Sequence, residues 1–168
     1  MIADVDAVGP AVLVVVNVLV WGLVATLSLV AITFTSQNLG WSRLDLPFLI
    51  GTMFTGDRRV AHVLGFLIFT TVGWFLGFFY FLVFAMLGSA GWWIGALLGA
   101  AHGLLLLTVA LPLLPNVHPR IASEHAGPDS VRLLEPPGFL ALHYGWRTPF
   151  VVMVAQTVYG AVLGAGLG

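Results

Sequence analysis

The sequence predicts an all-α integral membrane protein with four transmembrane helices. Of its 168 residues, 60% are hydrophobic and 8% are charged, whereas soluble domains carry about 25% charged residues. No Asp, Glu, Lys or Arg lies between Asp6 and Arg43, between Arg59 and Arg120, or after Arg147. A bilayer core needs roughly 20 apolar residues per helix. The first and third stretches therefore each fit one span, and the second fits two.

These spans form one predicted transmembrane domain over residues 1–168. We expect helices over 10–34, 59–87, 92–114 and 149–167, with long loops over 35–58 and 115–148. Pro10 suits the first turn of a helix, where its missing N–H costs nothing. The short turn Gly88–Gly91 favours an antiparallel hairpin of the second and third helices. Pro112 and Pro115 are expected to end the third helix.

Charge distribution predicts how the chain is oriented. All six positive residues are arginines, and all lie in the two long loops, at Arg43, Arg58, Arg59, Arg120, Arg132 and Arg147. Loops rich in arginine stay on the cytoplasmic side. Both termini are therefore expected on the opposite, periplasmic or extracellular side.

The two halves of the chain predict a parallel internal repeat. The motif LDLP at 44–47 is matched by LEPP at 134–137, and an arginine (Arg58 or Arg147) precedes the next span in each half. Glycine pairs then follow at nearly constant spacing. The alternative is chance similarity, because two helical hairpins of biased composition share such features easily.

Each matched motif also predicts a short interfacial segment in its loop. Asp45 is suited to cap a short helix that has Pro47 in its first turn. Glu135 is expected to act in the same way. The apolar residues that follow each motif would then lie at the cytoplasmic interface.

Glycines predict where the transmembrane helices pack. Small residues let helix backbones approach closely in lipid, where no hydrophobic drive brings helices together. The candidate packing positions are Gly91, Gly95, Gly99 and Gly103 in the third helix, Gly73 and Gly77 in the second, and Gly160 and Gly164 in the fourth.

Polar residues inside the spans predict an intramembrane cluster of His102, Thr70, Gln156 and Ser28. His102 lies at the edge of the glycine stripe and is expected to face protein rather than lipid. One interpretation is structural, since interhelical hydrogen bonds stabilise bundles by about 0.6 kcal/mol on average. The other is a functional site, because ionisable residues in membranes commonly serve transport or proton relay.

Other site types receive less support from the sequence. The absence of cysteine excludes disulfides and thiolate metal sites, and a net charge of -1 argues against nucleic-acid partners. His118, His125 and His143 are weak metal candidates, because no histidine pair has the spacing that places two ligands on one helix face. No catalytic constellation is visible, so we expect no cofactor. Loop arginines, namely Arg58, Arg59, Arg120 and Arg132, are candidates for contacts with lipid headgroups.

Four segments resemble a family of small four-helix bacterial inner-membrane proteins. They are DLPFLIGTMFTGDR (45–58), GWWIGALLGAAHG (91–103), LPLLPNVHPRIAS (111–123) and LEPPGFLALHYGWRTP (134–149). The resemblance implies the four-span architecture and a location in the bacterial inner membrane. It implies no activity and no catalytic residues.

Three functional hypotheses follow. The first is a non-enzymatic accessory or structural subunit of a larger membrane complex, or a homo-oligomer. Trp21, Trp74 and the run FLGFFYFLVF (75–84) would offer a surface to lipid or to a partner subunit. The second is a small transporter or lipid-handling protein with its site at the polar cluster. The third is a metal-binding membrane protein.

Overall fold

A computed structural model describes residues 5–123 and 127–168 of the chain. Within these ranges it contains helices and no β-strand. The helices are α1 (Val5–Asn38), α2 (Leu46–Thr52), α3 (Arg58–Leu87), α4 (Trp92–Leu105), α5 (Leu111–Val117) and α6 (Thr148–Leu167). A π-helical turn (Leu106–Ala110) joins α4 to α5, and a 3-10 segment (Phe139–Tyr144) precedes α6.

Four helical stretches are long and apolar enough to cross a membrane. They are Gly9–Asn38, Arg58–Leu87, Trp92–Val117 and Thr148–Leu167. The predicted all-α class with four membrane-spanning candidates is therefore confirmed.

The third span is longer than the sequence predicts. It continues through Pro112 and Pro115 to Val117 instead of ending near Leu114. In the π-helical turn the N–H of Leu111 bonds to the carbonyl of Leu106. Pro112 then lies in the first turn of α5, where a proline needs no N–H donor.

Helices α4 and α6 approach each other closely along their glycines. A Cβ placed on Gly95 would lie 2.0 Å from the carbonyl oxygen of Gly160, and one on Gly99 would lie 2.1 Å from that of Gln156. A Cβ on Gly164 would lie 2.2 Å from the carbonyl oxygen of Gly91. The two backbones therefore touch, and no larger residue fits at these positions.

Helix α1 packs against both α3 and α6. A Cβ on Gly73 would lie 2.2 Å from Oγ1 of Thr26. Indole rings also fill this contact, because Trp74 lies against Gly22 and Trp21 lies against Gly166. These two tryptophans therefore pack between helices, in contrast to the expected lipid- or partner-facing position.

The helices on either side of the Gly88–Gly91 turn do not pack closely together. A gap of about 320 Å³ separates α3 from α4, bordered by Phe79 and Tyr80 on one side and Leu98 and His102 on the other. We call it the α3/α4 gap. Helix α4 therefore packs mainly against α6 and not against α3, in contrast to the predicted hairpin of the second and third helices.

The matched motifs LDLP and LEPP adopt different structures. Asp45 caps α2 as predicted, with its carboxylate accepting a hydrogen bond from the N–H of Phe48 at 2.9 Å. The N-cap role expected for Glu135 is not found. Two prolines follow Glu135, and Gly138 then turns the chain with φ +71, so no regular helix begins there.

Candidate functional site

A central cavity of about 170 Å³ lies among the spanning helices. Its polar lining comes from Thr26 of α1, His102 of α4, and Gln156 and Tyr159 of α6. His102 follows the start of α4 by ten residues, which places it about 15 Å along the helix. The cavity thus lies deep within the apolar part of the molecule.

Helix α2 completes the wall of the central cavity. Leu46 and Ile50 border it, and α2 packs directly against the first turns of α3. A Cβ on Gly51 would lie 1.8 Å from the carbonyl oxygen of Ala61, and one on Gly65 would lie 1.8 Å from that of Pro47. These two glycines allow α2 to lie between the loops and the cavity.

Several buried polar atoms at this level lack a hydrogen-bond partner within the described part of the chain. They include Nδ1 of His102, Oε1 of Gln156 and the hydroxyl of Tyr80. Gln156 as a whole is only 5% exposed. An unpaired buried polar group costs about 1–3 kcal/mol, so three of them constitute a considerable destabilisation unless something binds them.

Glycines bring these polar groups together. Because the backbones of α4 and α6 touch at Gly99, Gln156 lies beside the next turn of α4. A Cβ on Gly103 would lie 3.1 Å from Cβ of Gln156, so a larger residue at 103 would compete with this side chain. Gly103 and Gly99 therefore let His102 and Gln156 line one cavity.

The four residues of the predicted cluster occupy different environments. His102 and Gln156 share the central cavity. Thr70 has a buried hydroxyl without a partner but is not among the residues that line it. Ser28 lies apart, since its hydroxyl donates to the carbonyl of Val24 at 2.8 Å in an exposed position.

Three further residues of the site were not identified from the sequence. Tyr159 and Thr26 line the cavity, and Tyr80 lies with its ring centroid 6.5 Å from His102 and 5.6 Å from Tyr159. Tyr159 follows Gln156 by three positions, so the helical period would have placed both on one face. Tyr80 had no comparable signal, because it lies within a long aromatic run.

A π-helical turn adjoins the site. It begins at Leu106, which lines the cavity together with His102 one turn earlier. Such turns are rare within α-helices and are frequent at functional sites. This local irregularity independently marks the same part of the third span.

On the loop side, His118 holds α2 in place. Its Nδ1 accepts a hydrogen bond from the N–H of Arg120 at 3.1 Å, so Nε2 carries the proton. Nε2 then donates to the carbonyl oxygen of Leu49 at 2.9 Å. Burial lowers the pKa of His118, the Leu49 carbonyl opposes this shift, and the Arg120 charge adds to it.

The weak metal candidates do not assemble into a site among the described residues. Both ring nitrogens of His118 are bonded to protein, and Nδ1 of His143 bonds to the carbonyl of Pro136 at 2.8 Å. His125 lies outside the described residues. In residues 5–123 and 127–168 no three His, Cys, Asp or Glu side chains are grouped to hold a metal.

The two loops are joined to each other near Arg43. Arg43 donates to the carbonyl of His143 and pairs with the carboxylate of Glu135 at 3.2 Å. The Tyr144 hydroxyl donates to the Glu135 carbonyl at 2.7 Å. Burial, together with the charge of Glu135, raises the pKa of Tyr144 to about 12, so this hydroxyl remains a donor at neutral pH.

Comparison with known proteins found no matching family model, no matching curated protein and no matching solved structure. In the central cavity Oε1 of Gln156 accepts hydrogen bonds, and Nδ1 of His102 donates or accepts according to its tautomer. The Tyr80 hydroxyl, whose residue lines the adjoining α3/α4 gap, can donate or accept. The arrangement is suited to binding a polar group inside an apolar surround.

Proposed function

We propose that this chain is a multi-pass membrane protein that binds a lipid-soluble ligand in the central cavity. The carrying observation is that Nδ1 of His102 and Oε1 of Gln156, both on helices that line the cavity, are buried without a partner in the described chain. Polar groups at bilayer depth are costly unless satisfied. A ligand with hydrogen-bonding groups would offset that cost.

The walls of the cavity indicate the chemical class of the ligand. Gln156 Oε1 can only accept, so the ligand needs a hydroxyl or N–H donor. Apart from its few polar groups the cavity is lined by apolar side chains, including Leu29, Phe69 and Leu76. We infer a small polar head, with at least one donor, on an apolar body.

The α3/α4 gap supports access from the bilayer. Leu76 and His102 border both the gap and the central cavity, so the two spaces adjoin at these side chains. The remaining lining of the gap is mostly apolar, with Phe79, Leu98 and Leu105. A ligand dissolved in lipid would therefore reach His102 without crossing water.

The proposal also includes the orientation of the chain in the membrane and the internal repeat of its two halves. Arginine-rich loops favour a cytoplasmic position for α2 and the segment before α6, in the bacterial inner membrane. Glycine contacts between α4 and α6 and between α1 and α3 support two antiparallel hairpins, each with a glycine pair at its contact. Related halves of this kind commonly enclose a binding site between them.

The test is native mass spectrometry of the protein in nanodiscs that contain the total lipid extract of its host membrane. We expect a bound species that is retained by the unchanged chain and identified after extraction. Gln156→Met, which keeps the volume but removes the acceptor, should lower its occupancy about tenfold, the effect of one buried hydrogen bond. His102→Leu should act in the same direction.

Ser28→Ala is the matched control, because the Ser28 hydroxyl is bonded within α1 and lies away from the cavity. It should leave occupancy unchanged. The proposal fails if the unchanged chain retains no bound species, or if Gln156→Met and Ser28→Ala retain it equally.

The accessory-subunit hypothesis stands as the second candidate. It is favoured by a face of α3 away from the α3/α4 gap, where Phe75 is 71% exposed and Leu82 is 58% exposed. A partner subunit would bury this apolar face. Native mass of the protein released from its own membrane distinguishes the two candidates, since a partner subunit would add protein mass in a fixed ratio.

A further inference from the structure

A second space, separate from the central cavity, lies on the loop side of the molecule. It is a groove of about 520 Å³ that contains two guanidinium groups, from Arg58 and Arg120. An apolar wall of the groove comes from Val131, Leu133 and Leu134. We call it the arginine groove. Of the four arginines considered for lipid headgroups, only Arg58 and Arg120 are among the residues that line it.

The two arginines are positioned by neighbouring structure. Arg120 donates from one terminal nitrogen to the carbonyl oxygen of Thr52 at 2.5 Å. Its Nε and second terminal nitrogen lie 3.6 and 3.9 Å from where a Cβ on Gly56 would be. Arg58 is the first residue of α3 and lies with its Cζ 5.9 Å from the ring centroid of Phe48. Both cations are therefore held at the edge of α2.

Nearby acidic charge is engaged elsewhere. Asp57 precedes Arg58, but its carboxylate caps α3 by accepting from the N–H groups of Arg59 and Val60 at 2.9 Å each. The described residues that line the arginine groove include no Asp or Glu. The groove thus combines two positive groups with an apolar wall.

The apolar wall of the groove is accessible. Val131 is 56% exposed and Leu133 is 77% exposed. The groove adjoins the first residue of a candidate membrane span, so these side chains lie at the level where acyl chains meet headgroups. An amphipathic anion would contact the two arginines and the apolar wall at the same time.

We propose that the arginine groove binds an anionic phospholipid, with its phosphate at Arg58 and Arg120 and its acyl region at Val131 and Leu133. Guanidinium groups match phosphate oxygens in charge and geometry. Under the proposed orientation the groove faces the cytoplasmic leaflet, where anionic lipids are concentrated. This site is independent of the ligand proposed for the central cavity.

The position of α2 predicts a structural consequence of this binding. Phe48 and Thr52 of α2 border the arginine groove, whereas Leu46 and Ile50 border the central cavity. A lipid that holds Arg120 in place also holds its bond to the Thr52 carbonyl. Amide hydrogen exchange in α2 should therefore slow when the lipid is bound.

The experiment compares delipidated protein in nanodiscs of phosphatidylcholine alone and of phosphatidylcholine with phosphatidylglycerol. Native mass spectrometry counts the retained phosphatidylglycerol, and hydrogen exchange follows α2. We expect retention in the unchanged chain, and about tenfold weaker retention in Arg58→Gln, the effect of one lost hydrogen bond to a charged group. Arg120→Gln should weaken it further, because that variant also loses the bond to Thr52.

Arg59→Gln and Arg132→Gln are matched controls, because they remove the same charge from residues that do not line the groove. They should change retention less than twofold. Equal loss in all four variants would indicate diffuse surface charge and overturn the proposal. If Arg120→Gln does not fold, Leu133→Ser supplies the second test, since it removes acyl contact and leaves charge unchanged.

A final experiment distinguishes a phospholipid from free phosphate as the ligand of the arginine groove. Excess inorganic phosphate is added to the protein in phosphatidylcholine nanodiscs. We expect no slowing of hydrogen exchange in α2. Free phosphate cannot contact Val131 and Leu133, so it should bind the two arginines too weakly to hold Arg120 in place. Slowing equal to that with phosphatidylglycerol would overturn the assignment to a phospholipid.

Discussion

The hydroxyl of Tyr159 in α6 donates a hydrogen bond to the carbonyl oxygen of Gly73 in α3, at 2.8 Å. Gly73 itself packs against Thr26 of α1, so three helices meet at this point. The ring of Tyr159 also contacts that of Tyr80 edge to face, with centroids 5.6 Å apart. This bond therefore fixes one end of the central cavity.

Tyr159→Phe should lower the free energy of unfolding by about 1 kcal/mol, because it removes one interhelical hydrogen bond and keeps the ring. Reversible unfolding by dodecyl sulfate in mixed micelles measures the change. Thr71→Val is the control, since the Thr71 hydroxyl bonds within α3 to the Leu67 carbonyl in an exposed position. Equal effects of the two variants would contradict a special role for the Tyr159 bond.

Gly160→Ala should destabilise the contact of α4 with α6 severely. The new methyl carbon would lie 2.0 Å from the carbonyl oxygen of Gly95, so the helices must separate, at an expected cost of about 3 kcal/mol or more. The same unfolding assay measures it. Gly9→Ala is the control, because nothing lies within 4 Å of its Cβ position and alanine favours helix. A neutral Gly160→Ala would show that the backbones do not touch.

The attachment of α2 should weaken in acid. Burial lowers the pKa of His118 in the folded chain, so the folded state takes up a proton less readily than the unfolded state. Stability is therefore complete above the ordinary histidine pKa of about 6.5 and falls as pH drops below it. The protection factors of the α2 amides, which are the exchange rates corrected for the intrinsic rate at each pH, should fall between neutral pH and about pH 5.

His118→Gln provides the control for this pH dependence. Glutamine can still donate to the Leu49 carbonyl but does not titrate, so the protection factors of α2 should change less with pH in this variant. An identical acid response in both proteins would show that His118 is not the group responsible.

Thr70→Val should be neutral or slightly stabilising. The Thr70 hydroxyl is buried without a partner among the described residues, so replacing it with a methyl of similar shape removes a desolvation cost. Thr26→Val is the comparison, because its hydroxyl donates to the Gly22 carbonyl at 2.7 Å. A loss above about 1 kcal/mol in Thr70→Val would reveal a bound partner for this hydroxyl.

Much of the fold was predictable because its signals are local. Charge-free apolar stretches identify the four candidate spans by length and composition alone, and the structure places them within a few residues of the predicted bounds. Asp45 followed by Pro47 likewise identifies the start of α2. Each of these signals depends on neighbours along the chain and not on contacts at a distance.

Other features depended on distant contacts and differed from expectation. Pro112 and Pro115 were expected to end the third span, but a π-helical turn carries the helix past both. Glu135 matches Asp45 in its motif, yet it pairs with Arg43 of the other loop instead of capping a helix. Local similarity of sequence was not sufficient, because the two motifs have different tertiary neighbours.

The sequence by itself determined that this chain has four apolar helices and that its arginines all lie in the two long loops or at the helix ends beside them, since hydropathy and charge are properties of composition along the chain. Only the tertiary structure decided that α4 packs against α6 rather than α3. That choice brought Gln156 beside His102 and left Ser28 outside. The physical reason is that helices in an apolar environment pair where glycines let their backbones touch. All of the longer helices contain glycines, so the sequence is compatible with several pairings, and only the tertiary structure shows which pairing forms.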